Sequence, residues 1–168
     1  MAFYISGTRF ISFATYDDVV IRDSRLFESN EILTEAITDD LLQTASQRIL
    51  TRLKNTDWWK EYNFRRNASL NYDLRQVPAI NPLYIIGLEQ DFKDLNVYLC
   101  LSEYLLPKVA DFGNPQSAEV EKIKYYRERY DDLLKVIIED GSWYDYSGDG
   151  NITISEKQPT RTNLVRVR

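Results

Sequence analysis

Asp145, Ser147, Asp149, Gly150, Thr153 and Glu156 fall in the length and register of an EF-hand calcium loop. Carboxylates stand at the first, fifth and last positions, a hydroxyl at the third, glycine at the sixth and the apolar Ile152 at the eighth. A hard cation takes such oxygen ligands, and the closing glutamate would bind in bidentate fashion. The flanks argue otherwise. The helix before the loop is expected to end near Asp140, short of the first ligand, and Pro159 stops a helix from leaving it. The second loop of the usual pair is missing. A turn shaped by Gly148 and Gly150, with Asp and Asn suited to turn conformations, accounts for the same letters. The reading adopted is a plain turn with no metal and no cofactor; calcium is the alternative.

Other catalytic chemistry is sparse. The chain has no histidine, which removes Ser-His triads, Cys-His dyads and imidazole metal sites. The single cysteine, Cys100, lies in the apolar run Val97-Tyr-Leu-Cys-Leu101, so it reads as a buried small side chain and not as an activated nucleophile. There is no glycine-rich phosphate loop. The carboxylate pairs Asp17-Asp18 and Asp39-Asp40 suit helix starts, and Asp131-Asp132 and Glu139-Asp140 suit a solvated helix face. No enzyme is expected.

Charge is distributed unevenly. Residues 1–156 hold 17 Lys and Arg against 26 Asp and Glu, a formal −9, whereas 157–168 carries +4 and no acid. The basic stretch alternates, with Leu164, Arg166 and Arg168 on one side of an extended strand and Asn163, Val165 and Val167 on the other. Val-rich alternation beside cationic side chains suits strand addition to a partner. Arg161, Leu164, Val165, Arg166, Val167 and Arg168 are therefore the expected partner-binding residues. Aromatic residues are plentiful, with 12 Tyr, 7 Phe and 3 Trp. Trp58 and Trp59 are adjacent, so a single helix face cannot bury both equally, and one is expected at an interface. Tyrosines near Arg65-Arg66 could stack on single-stranded nucleic acid, but a −9 body repels phosphate. No sequence-specific nucleic-acid binding is expected. No apolar run is long enough to span a bilayer, and the first residues do not resemble a signal peptide, so no membrane association is expected.

The elements that must position these residues are mainly helical. Aromatic and β-branched residues over 3–14 predict extended or irregular chain. Thr15 with Asp18 predicts a capped short helix to about Arg25, and Thr38 opens a helix whose stripe is Leu42, Ala45, Ile49 and Leu53. A short helical piece begins at Asp57, and roughly 64–81 reads as a long loop. Asn81-Pro82 supplies an N-cap and a first-turn proline. Phe92, Leu95, Leu99, Ser102 and Leu106 predict a central helix ending at Pro107, and a helix from about Ser117 to Asp140 would run about 35 Å. Gly141 ends it, before a turn and a short strand near 152–154.

The segments Ile37-Thr-Asp-Asp-Leu-Leu-Gln-Thr-Ala-Ser-Gln-Arg-Ile49, Glu89-Gln-Asp-Phe-Lys-Asp-Leu-Asn-Val-Tyr-Leu-Cys-Leu-Ser-Glu-Tyr-Leu-Leu-Pro107 and Tyr125-Tyr-Arg-Glu-Arg-Tyr-Asp-Asp-Leu-Leu134 together resemble the head–tail connector (adaptor) proteins of tailed bacteriophages. In order and approximate spacing the likeness spans about residues 15–155, and it rests on helix patterns. It implies a mainly α small helical bundle over 1–156, with short β elements near the termini, and an extended basic arm over 157–168. It also implies a structural virion protein of the neck, made in the bacterial host cytoplasm. The expected partners are further copies in a dodecameric ring, the portal protein, reached by the arm, and a tail-side neck protein. The alternatives are a stopper or tail-completion protein, or a calcium-binding interaction module. The aromatic N-terminal segment and the calcium-like loop depart from many adaptors.

Overall fold

The first backbone hydrogen bonds of the chain close a small antiparallel hairpin, β1 (Tyr4–Ser6) with β2 (Arg9–Ser12). The computed structural model describes residues 3–6, 9–70, 73–114, 116–154 and 156–157. The hairpin presents Phe3 and Phe10, and the Phe13 ring that follows lies 5.0 Å from Phe3 and 5.2 Å from Phe92. The Phe13 backbone N–H donates to the Ser46 hydroxyl at 3.1 Å, which fixes the hairpin to the helix beneath it.

Side-chain caps set the starts of the helices that follow Thr15, Thr38, Thr56 and Ser117. Thr15 and Asp18 form a reciprocal capping box at α1 (Tyr16–Arg22), where the threonine hydroxyl accepts from Asp18 N–H and the aspartate accepts from Thr15 N–H. Two short helices follow, α2 (Ser24–Ser29) and α3 (Glu31–Glu35). The expected single helix to Arg25 is thus broken at Asp23, whose carboxylate turns away to hold Lys122 at 2.7 Å and the Tyr126 hydroxyl at 3.2 Å. Thr38 caps α4 (Asp39–Lys54), and Leu42, Ala45, Ile49 and Leu53 are all buried, as their spacing predicts. Thr56 caps α5 (Asp57–Arg66).

The irregular stretch is shorter than the 64–81 predicted. Helix α5 persists to Arg66, and 3-10 turns form at Ala68–Leu70, Leu74–Gln76 and Pro82–Tyr84. Helix α6 (Glu89–Leu99) lies between α4 and α7 (Ala118–Asp140) and is the centre of a mainly helical bundle. It does not run regularly to Pro107. From Cys100 to Leu105 the backbone widens into a π-helical segment, followed by a 3-10 turn over Leu106–Lys108. Ser117 caps α7, and Gly141 ends it with φ 63, in the left-handed region that glycine tolerates.

Near the other end of the chain, among the described residues, the β character reduces to one bridge, Ile85 with Tyr144. The strand expected near 152–154 does not form, because the backbone there turns to satisfy the Glu156 carboxylate. Gly87 makes this join possible: a Cβ on it would sit 2.6 Å from the Ser142 carbonyl oxygen.

Trp58 and Trp59 correct the expectation that one of them would lie at an interface. They are 5% and 1% exposed. Helix α5 is enclosed on two sides: Trp58 packs on Trp143 with ring centres 4.7 Å apart, while Trp59 meets Tyr144 at 4.9 Å. The Trp59 indole N–H donates to the Pro78 carbonyl at 2.8 Å. Chain segments remote in sequence supply the second apolar wall that the helix alone lacks.

Candidate interaction surface

The loop after α7 folds around two acceptors. Asp145, 2% exposed, accepts from Gly148 N–H at 2.7 Å, Gly150 N–H at 2.8 Å and the Ser147 hydroxyl at 3.2 Å. Glu156, 7% exposed, accepts from Ser147 N–H at 2.7 Å and, through its other oxygen, from the Thr153 N–H and hydroxyl at 2.8 Å. Gly148 and Gly150 take φ of +75 and +86, which suits residues without a Cβ. The backbone N–H of Thr153, then its hydroxyl and the Ser147 N–H, hold the Glu156 carboxyl down at about 2, against the opposing effect of burial.

The calcium-like register thus does bring Asp145 and Glu156 into one loop. There their oxygens organise the backbone, and the arrangement accounts for these residue types. Asp149 accepts from Asn151 N–H at 2.8 Å as a local turn. Among the described residues no group of three or more His, Cys, Asp or Glu side chains is placed to hold a metal ion.

The partner-binding residues read from sequence, Arg161, Leu164, Val165, Arg166, Val167 and Arg168, lie outside the described residues. Lys157 is described; it is exposed, and its backbone N–H donates to Thr153 at 3.2 Å. Cys100 is fully buried, and desolvation pushes its thiol well above the ordinary cysteine range. Its Sγ faces the Asn96 side-chain oxygen at 3.3 Å, which makes it part of the core.

A polar groove that sequence reading missed lies where α4, the π segment and α7 meet. Arg48 and Arg52 come from α4, Ser102 and Glu103 from the π segment, and Arg127, Tyr130 and Asp131 from α7, around a pocket of about 290 Å³. Glu103 is largely covered, with 14% of its side chain exposed; it pairs with Arg48 and is approached by Arg52 at 3.6 Å. Arg52 also lies 3.9 Å from Asp131, with its guanidinium 4.9 Å from the centre of the Tyr130 ring. Burial raises the Tyr130 phenol above its usual range, and the Arg52 charge opposes that rise. The Tyr130 hydroxyl meets no hydrogen-bond partner among the described residues. The groove has no consecutive motif. The one sequence signal was arginine on outer helix positions, and only the packing of three distant segments collects it. The π widening matters here, since such segments are uncommon and concentrate at functional sites.

Comparison with known proteins finds no family model, no curated protein and no solved structure that matches this chain.

Proposed function

We propose that this chain is a structural protein of a phage neck, forming an oligomeric ring that joins the portal to the tail-side neck proteins. It acts by assembly and not by catalysis. The observation that carries the reading is the charge split, a +4 Val-rich segment at 157–168 beside a −9 body. A basic segment beside an acidic body suits contact between subunits or with an acidic partner. A second support is positional. The three segments that resemble adaptors fall on α4, on α6 with its π extension, and on α7, the mutually packed centre of the bundle.

In this reading each copy contributes weak contacts, and a ring of them becomes tight because neighbouring sites are held at high effective concentration. Arg161, Arg166 and Arg168 pair with acidic or carbonyl groups of the portal, and Leu164, Val165 and Val167 supply strand-like apolar contact. The test is sedimentation of the full chain with and without assembled portal rings. Co-sedimentation that is lost on deleting 157–168, with the circular-dichroism spectrum retained, supports the reading. A chain that stays monomeric beside portal rings overturns it.

A further inference from the structure

The groove between α4, the π segment and α7 holds more guanidinium than its own carboxylates satisfy. Arg48 and Arg52 share the one largely covered carboxylate, Glu103, and the contacts of Arg52 are long, at 3.6 and 3.9 Å. Arg127 makes no ion pair among the described residues. The Tyr130 hydroxyl, on a side chain only 2% exposed and lining the same pocket, is also without a partner. Buried polar groups are nearly always hydrogen-bonded. Spare guanidinium donors mark a place short of an acceptor, and a carboxylate fits the fork of a guanidinium.

The groove continues past Arg48, Glu103 and Arg127 to Pro107, Ile123 and Phe112, the last of which is 66% exposed. Arginine beside an exposed aromatic ring is the chemistry of a protein interface. A nucleic-acid backbone fits less well, because the chain as a whole carries −5.

The same chain displays the complement. Glu31 and Glu35 stand one helical turn apart on α3, both exposed and neither in an ion pair among the described residues. Ile32 beside them is 82% exposed. It borders a hollow of about 630 Å³ with Glu28, Glu31 and Leu33. An apolar residue flanked by unpaired carboxylates is what a groove of arginines with an exposed ring would receive.

We propose that the acidic edge of α3 in one copy docks into the Arg48, Arg52 and Arg127 groove of a second copy. A glutamate carboxylate, Glu31 or Glu35, takes the spare guanidinium donors, and Ile32 lies against Phe112. The inference rests on the assembly reading above and names the copy-to-copy surfaces that such assembly needs. Donor and acceptor patches consist of different residues, so one copy can offer its α3 to a second while its groove receives a third, and such heterologous contacts close into rings when their rotation permits.

The experiment is sedimentation velocity of the full chain over a concentration series at low salt, comparing wild type, Arg127→Glu, the pair Glu31→Lys with Glu35→Lys, and all three together. None of these residues holds an ion pair among the described residues, so each variant should keep its helical circular-dichroism signal and melting temperature. Arg127→Glu and the glutamate pair should each weaken association about tenfold or more, and the combined variant should recover most of it. A combined variant as weak as either parent, single effects below twofold, or a wild type that is monomeric throughout overturns the proposal. Adding portal rings separates the two readings. A chain monomeric alone that still joins the portal removes this interface and leaves the neck function standing; charge-swap rescue without portal binding does the reverse.

Discussion

The aromatic knot around α5 and the helical seam of α4, α6 and α7 bury side chains by different rules. In the seam, Leu42, Ile49, Leu95 and Leu99 are each 1% exposed or less and recur at helical spacing, so one stripe meets another. The polar groups at its centre are satisfied, with the Tyr130 hydroxyl at the α7 edge the exception: Asn96 donates to Ser46, and Ser46 donates to Leu42 at 3.0 Å while accepting from Phe13. The knot has no period. Trp58, Trp59 and Tyr62 come from one helix, and Trp143 and Tyr144 from the stretch after Gly141, with ring centres 4.7 to 6.4 Å apart. It leaves the Trp58 indole N–H and the Tyr62 hydroxyl buried without partners among the described residues. The difference teaches that large flat rings can join segments far apart in sequence where helical registry is absent, at a cost in unsatisfied donors.

Removing a ring from the knot should produce the largest effect. Trp143 is fully buried, touches Trp58 and Phe92, and donates its indole N–H to Ile137 at 3.0 Å. Trp143→Ala should cost about 3–5 kcal/mol in urea unfolding, and Leu95→Ala in the seam about 2–5 kcal/mol. The two should separate in near-ultraviolet circular dichroism. The tryptophan variant should lose the coupled indole signal and the leucine variant keep it; equal spectra would mean that the rings are not one cluster.

A smaller effect should come from the seam's polar centre. Ser46→Ala strands the Phe13 N–H and leaves the Asn96 amide only its 3.4 Å contact with the Leu42 carbonyl, and should destabilise the chain by about 1–3 kcal/mol in the same measurement. A cost near zero would show that the seam, like the knot, tolerates unpaired donors.

The smallest effect concerns the loop that adjoins the knot, and it is a pH dependence. Glu156 has its pKa lowered in the folded chain to about 2, below its ordinary 4.5, because Thr153 and Ser147 donate to the charged form. The unfolded chain therefore binds the proton more tightly. The stabilisation is present in full above about pH 4.5 and is lost as pH falls toward 2. Glu156→Gln should flatten the stability profile between those limits and change little at pH 7 in slope. An unchanged slope in thermal melts would remove the loop's carboxylate from the account.

Much of the seam was legible in the sequence. Thr15, Thr38 and Ser117 mark helix starts by accepting from the backbone three residues on, and Gly141 marks a stop, all local chemistry that letters carry. The break at Asp23 was not legible, because its cause is Lys122 and Tyr126, about one hundred residues away in sequence. Burial of both Trp58 and Trp59 was hidden for the same reason. The Asp145 to Glu156 register could be read, and its flanks favoured a turn over a calcium loop, but only the positions of the amides show which donors those carboxylates hold.

The sequence by itself determined a mainly helical chain with a histidine-free interior, an acidic body and a basic final stretch, since composition and helical period survive without knowledge of contacts. Tertiary structure alone decided that α6 would loosen into a π segment at Cys100, that two adjacent tryptophans would both be enclosed, and that Arg48, Arg52 and Arg127 would line one groove with an unpaired tyrosine. The physical reason is range. Caps and amphipathic stripes are fixed by neighbours within a turn or two, whereas a groove or a ring cluster exists only once segments distant along the chain are packed at van der Waals contact.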